Sequence, residues 1–285
     1  MNKTTLFFLF FLFSNLFVAQ DLDDLETAKK LALATNKNIV IDFWASWCGP
    51  CKKMDADVWQ QKNMKSTISD FIFVKINTDE NQEAVRFYNI NSIPRVLITD
   101  AFGKVIETNI GYMDINQTQN FLEPYRLNTE FFANQAIEFS KSITFTTAIN
   151  LSLQKLDYTL YLDSAIKRKF ILNALEYLNE AKNQVSKKEI DYATKIQRLE
   201  ILNLYEYVYN FNFDKLSKKL EKIDSEKITD FLNKNYFYFL KYIAEYNINQ
   251  TEEKQKFYNT LEGFEYFKIK ADKIVKLKET KNSKL

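Results

Sequence analysis

Ile39-Val40-Ile41-Asp42-Phe43-Trp44-Ala45-Ser46-Trp47-Cys48-Gly49-Pro50-Cys51-Lys52 decides how the rest of the chain is read. Its first six residues are β-branched or aromatic and apolar on both faces, Asp42 excepted. A run of that length and character suits a strand at the centre of a sheet covered on both sides. After the two cysteines, Lys52 to Ser69 carries apolar residues at helical spacing through Met54, Val58 and Met64. The cysteines therefore sit where a strand hands over to a helix.

That position suits thiol–disulfide exchange, which needs one thiolate to attack and a second thiol to resolve the mixed disulfide. At the start of a helix, Cys48 is surrounded by free backbone N–H groups and the positive end of the helix dipole, both of which stabilise a thiolate. Cys51 lies one turn further on, within reach of the first sulfur, and the intervening Gly49-Pro50 constrains the turn. The order assigns Cys48 as attacking and Cys51 as resolving thiol. A structural zinc site would need two further Cys or His ligands. The chain has two cysteines and no histidine, so no metal is expected.

Working outward, Asp21 to Lys37 reads as a helix, with Leu22, Leu25, Ala28 and Leu31 at spacings of three and four. Phe71 to Ile76 is a second apolar strand, and Glu80 to Tyr88 a short helix. Arg95 to Thr99 and Lys104 to Asn109 are strands joined by a turn containing Asp100 and Gly103. Asp114 to Tyr125 is a closing helix with Asp114 at its start. The order is helix, strand, helix, strand, helix, strand, strand, helix.

From Arg126 to Leu285 the character changes. One glycine (Gly263) and no proline occur there, and apolar residues recur at helical spacing, as in Ile149, Leu153, Leu156, Leu160. The spacing predicts an all-α region of antiparallel hairpins, with breaks near Asp163, Ser186, Asn212 and Asn249. It holds no phosphate loop or fixed-period repeat. Its aromatic residues suit a core or a partner-binding groove equally well.

The chain of 285 residues is long enough for two domains, divided near residue 125. Residues 21–125 carry a net charge of −4 and residues 126–285 of +5, giving +2 with Lys3. So small a total argues against a nucleic-acid partner. Residues 1–19 combine Lys3 with the apolar run Leu6 to Phe13, too short for a membrane span. They read as a signal peptide cleaved after Ala19, hence export to the periplasm or beyond.

Ile41 to Lys52 resembles the active-site segment of thioredoxins almost residue for residue, and Ser92-Ile93-Pro94 and Gly111 match that family's cis-proline loop and late glycine. Met54 with Val58-Trp59 is similar to the branch of the DsbD C-terminal domain. The resemblance covers residues 21–125. It implies an α/β thioredoxin fold, a central mixed sheet flanked by helices, with an all-α helical-hairpin domain added at residues 126–285. It implies further that Asp42 is a buried carboxylate assisting deprotonation of Cys51, that Lys75 pairs with and tunes Asp42, and that Pro94 is cis and faces the disulfide. Trp47, Gly49, Pro50, Ile93 and Arg95 would form the client-docking face. Arg95 stands where the family commonly has threonine.

The expected activity is therefore a thiol–disulfide oxidoreductase on exported protein clients, a reductase using no cofactor beyond the Cys48–Cys51 pair and fed by a membrane electron donor. A disulfide oxidase or isomerase is the alternative, as is a client-binding helical protein with a secondary redox site.

Overall fold

The structure is a computed structural model that describes residues 23–248 and 265–282. The signal-peptide reading and the break near Asn249 lie outside the described residues. Asp24 caps the first helix, α1 (Leu25–Thr35), by accepting the N–H groups of Glu26 and Thr27. Strand β1 (Ile39–Trp44) follows, then α2 (Gly49–Met54) and α3 (Met64–Ile68). Next come β2 (Ile72–Asn77), α4 (Gln82–Phe87), β3 (Arg95–Thr99), β4 (Val105–Ile110) and α5 (Ile115–Leu122).

The four strands form one mixed sheet in the order β2-β1-β3-β4. β1 runs parallel to β2 and antiparallel to β3, and β3 pairs antiparallel with β4. One face buries Ile39, Ile41, Phe43, Val74, Ile76 and Leu97 beneath α1 and α4. The opposite face carries Val40, Val96 and Ile98, covered by Met54, Val58, Met64 and Leu122. Strand alternation sorts the residues this way, since successive side chains point to opposite faces. Asp42 falls on the second face.

Two elements differ from the sequence expectation. The helix expected over Lys52 to Ser69 is split: α2 passes at Asp55–Trp59 into a π-helical turn, and polar residues 60–63 separate it from α3. Met54, Val58 and Met64 are still all buried, so the apolar spacing marked the core side correctly and missed the break. The helix expected to reach Tyr125 ends at Leu122 and tightens into a 3-10 turn over Glu123–Tyr125. Pro124 lacks an N–H to continue the α-helical ladder.

Beyond Tyr125 the described chain is helical: α6 (Ala133–Lys141), α7 (Phe145–Tyr158), α8 (Ser164–Asn183), α9 (Tyr192–Asn203), α10 (Tyr205–Tyr209), α11 (Phe213–Leu220), α12 (Phe231–Ile248) and α13 (Glu265–Asn282). Asp163 and Asn212 cap α8 and α11, and Ser186 lies in the turn between α8 and α9. The aromatic residues are largely core, Tyr177, Tyr205, Tyr209 and Phe239 being fully buried.

This helical region joins the sheet at the turn between β3 and β4. Asp100, 3% exposed, takes the backbone N–H groups of Phe102 and Lys104 on Oδ1, both at 3.0 Å. Its Oδ2 receives Lys155 Nζ of α7 at 2.5 Å and the Tyr177 hydroxyl of α8 at 2.6 Å. Gly103 holds φ at +79°, and a Cβ there would stand 2.7 Å from the Tyr88 hydroxyl oxygen, so glycine is required. Along β4, Asn173 donates to the Lys104 carbonyl at 3.1 Å and Lys169 pairs with Glu107 at 2.8 Å. α8 thereby flanks an edge strand that would otherwise offer unpaired backbone groups. The apolar cluster on the second sheet face runs on without interruption through Tyr125 into Phe132, Phe139 and the helices.

Burial alone would raise the Asp100 carboxyl, but the Lys155 charge and the surrounding donors outweigh it and hold it below its ordinary value. The same burial depresses the proton affinity of Lys155 and raises that of the Tyr177 phenolate. The aspartate collects four donors, which is what keeps it ionised out of water.

Candidate functional site

The carboxyl ends of the parallel strands β1 and β2 and the start of β3 share one end of the sheet. The site stands there, at the end opposite the β3–β4 turn. Cys48 is the N-cap of α2, and its Sγ accepts the Cys51 N–H at 3.2 Å. That is the contact expected to stabilise a thiolate at this sulfur. The two cysteines are joined in a disulfide with Cα atoms 5.3 Å apart. Both cysteines are buried, with exposures of 4% and 5%.

Gly49 and Pro50 are exposed at the first positions of α2, and a Cβ on Gly49 would meet nothing within 4 Å. Glycine is therefore not needed for packing there. Pro50 suits a first turn, where its missing N–H costs nothing. Trp47 is 69% exposed, unlike a core aromatic, and its indole N–H is held by both carboxylate oxygens of Asp79, at 3.0 and 3.2 Å. A groove of about 330 Å³ opens beside it, lined among others by Trp47, Asp79, Gln82, Ile90, Ser92 and Ile93.

The Ile93–Pro94 bond is cis. Ile93 packs against the small cluster of Ala45, Cys48 and Cys51, and the Pro94 carbonyl accepts the Gly111 N–H at 2.9 Å. Gly111 holds φ at +95°, a conformation L side chains rarely adopt. Asp42 is 4% exposed and Lys75 is its register partner on β2. Lys75 forms an ion pair with Asp55, a partner the sequence reading did not anticipate. Asp55 also accepts the Gln60 side chain at 2.6 Å, and Lys75 lies 5.3 Å from the centre of the Trp44 ring. Lys75 thus ties β2 to the π-helical turn through Asp55, beside its register partner Asp42 on β1. Arg95 is not among the residues that line the groove, and its Nη1 donates to the Asn89 carbonyl at 3.0 Å.

Sequence reasoning missed Asp55 and Asp79, although both were within reach. Asp55 is four residues after Cys51 and so shares its helix face. Asp79 follows β2, and parallel pairing brings that strand's end beside Trp47.

Comparison with known proteins decides the family. The thioredoxin family model matches residues 23–123. A thioredoxin of Mycoplasmoides gallisepticum is 37% identical over 94 residues, 32% of this chain and 87% of that one. The Bacillus subtilis thioredoxin is 40% identical over 88 residues, 30% of this chain and 81% of that one. The chain belongs to the thioredoxin family. Among solved structures, oxidised mitochondrial thioredoxin 3 of Saccharomyces cerevisiae is 27% identical, with 36% of this chain and 92% of that one covered and a TM-score of 0.31. The oxidised DsbD C-terminal domain of Neisseria meningitidis is 23% identical, with 37% and 99% covered and a TM-score of 0.32. The thioredoxin match ends at residue 123, before the helical region begins. With its cysteine pair in place, this thioredoxin-family chain is a thiol–disulfide oxidoreductase.

Proposed function

We propose that the protein is an exported disulfide reductase acting on protein clients, recharged by a membrane electron donor. Residues 1–19 act as its signal peptide, residues 20–125 as the redox unit, and residues 126–285 as a helical addition. The observation that carries the reading is Cys48 at the N-cap of α2, its sulfur receiving the Cys51 N–H beside an open groove. The thiolate of Cys48 attacks one client sulfur, and the other leaves as a thiolate. Cys51, deprotonated with the help of Asp42, then attacks the Cys48 sulfur and releases the second client thiol. The client gains two electrons and two protons, and the protein is left with the Cys48–Cys51 disulfide. The donor restores the dithiol.

Direction rests on the Cys-Gly-Pro-Cys sequence, which is similar to that of reducing thioredoxins. Equilibration of the pair in a dithiothreitol series tests it. A potential near about −270 mV supports the reductase, and one above roughly −180 mV assigns the protein to disulfide formation or isomerisation instead.

A further inference from the structure

The loop from Asn89 to Pro94 walls one side of the groove and brings Ile93 against the disulfide. Its middle is not self-supporting: the N–H groups of Asn91 and Ser92 and that of Ile93 donate to no acceptor among the described residues. The loop is held from its two ends. At one end, the Gly111 N–H reaches the Pro94 carbonyl. At the other, Asn89, in the left-handed region at φ 50°, turns its carbonyl to the Arg95 guanidinium. That bond spans six residues and brackets the whole loop, a reach a short side chain at position 95 does not have. Arg95 is half-buried, and its Nε is shut from water with no acceptor among the described residues. Leaving a guanidinium N–H unsatisfied inside a protein is unfavourable, so retaining arginine here calls for a compensating role.

We propose that Arg95 is a positioning residue for the redox reaction, clamping the Asn89–Pro94 loop so that its unpaired N–H groups stand ready for the extended backbone of a protein client. Arg95 touches neither the disulfide nor the groove; it acts through the loop. Ordering a loop before binding removes an entropic cost that the complex would otherwise bear. The effect therefore falls on recognition of a polypeptide and leaves the sulfur chemistry alone. The proposal rests on the reading of this end of the molecule as the client-docking face.

The test compares wild type, Arg95→Thr and Arg95→Lys on insulin, a protein disulfide, and on 5,5′-dithiobis(2-nitrobenzoate), a disulfide with no backbone to pair. Arg95→Thr is expected to raise KM for insulin about fivefold at unchanged kcat, and to leave the rate with the small disulfide unaltered. Arg95→Lys, which keeps a donor of similar reach, restores most of the loss. Hydrogen exchange at the Ile90 amide, which donates to the Val85 carbonyl at 2.9 Å, should accelerate in Arg95→Thr while the sheet stays protected. An unchanged KM for insulin overturns the proposal, as does an equal loss on both disulfides, which marks a general structural role. Failure of the reductase reading shows separately, in the wild-type reduction potential; the variant-to-wild-type ratio is then read in whichever direction that potential favours.

Discussion

The two ends of the sheet have been treated in opposite ways. At the end where β1 and β2 finish, Trp47, Asn91 and Ser92 are exposed beside a groove, with the two cysteines just beneath the surface. At the other end, the β3–β4 turn is enclosed by α7 and α8, with a carboxylate, an ammonium and a phenol sealed together. The helical region is thus fastened to the end that does no chemistry. Among the described residues, the anchor of α7 and α8 at Asp100 and the disulfide lie at opposite ends of the sheet.

The comparison breaks first at the cysteines. Cys48→Ser is expected to abolish disulfide exchange entirely while the denaturation midpoint matches that of reduced wild type. Cys51→Ser is expected to accumulate mixed disulfides through Cys48, read by mass spectrometry. Equal trapping by Cys48→Ser would reverse the assignment of attacking and resolving thiols.

The buried end should respond with stability and not with chemistry. Lys155→Met leaves Asp100 ionised without its counter-ion and should cost about 3–5 kcal/mol in urea unfolding, with the reduction potential unmoved. Asp100 has a proton affinity held below the usual 3.8, so its contribution is present above that pH and fades as pH falls through the lower folded value. The double variant Asp100→Asn, Lys155→Met should lack this component of acid destabilisation. Tyr177→Phe, which removes one donor and keeps the ring, should cost less, about 1.5–3 kcal/mol. A potential that moved with either substitution would mean that the two ends are coupled.

How much of this was legible in sequence differs between the ends for a physical reason. The redox end is written in a contiguous stretch, Ile39 to Lys52, where strand, cap and helix start follow from local rules. Pro94 and Gly111 were recognisable through the resemblance to the thioredoxin family. The Lys75–Asp55 ion pair was not, because it joins residues 20 apart on different elements. At the buried end the turn was legible and its partners were not. Asp100 reads as an ordinary turn residue, Lys155 as one lysine among many on a helix and Tyr177 as core. Their association depends on separations of 55 and 77 residues, which no local pattern encodes. The helical half was recognisable from spacing and the want of glycine and proline, but spacing does not say which face meets the sheet.

Those separations also set a clock. Chains are made at roughly 5–20 residues per second, so Tyr177 is added roughly 4–15 s after Asp100, across the 77 residues between them. Across the first 55 of those residues the β3–β4 turn has neither of its helical partners, and across the remainder it still lacks Tyr177. Enclosure of the turn is accordingly a late event in the birth of each molecule, coming after every residue of the redox site has already been synthesised.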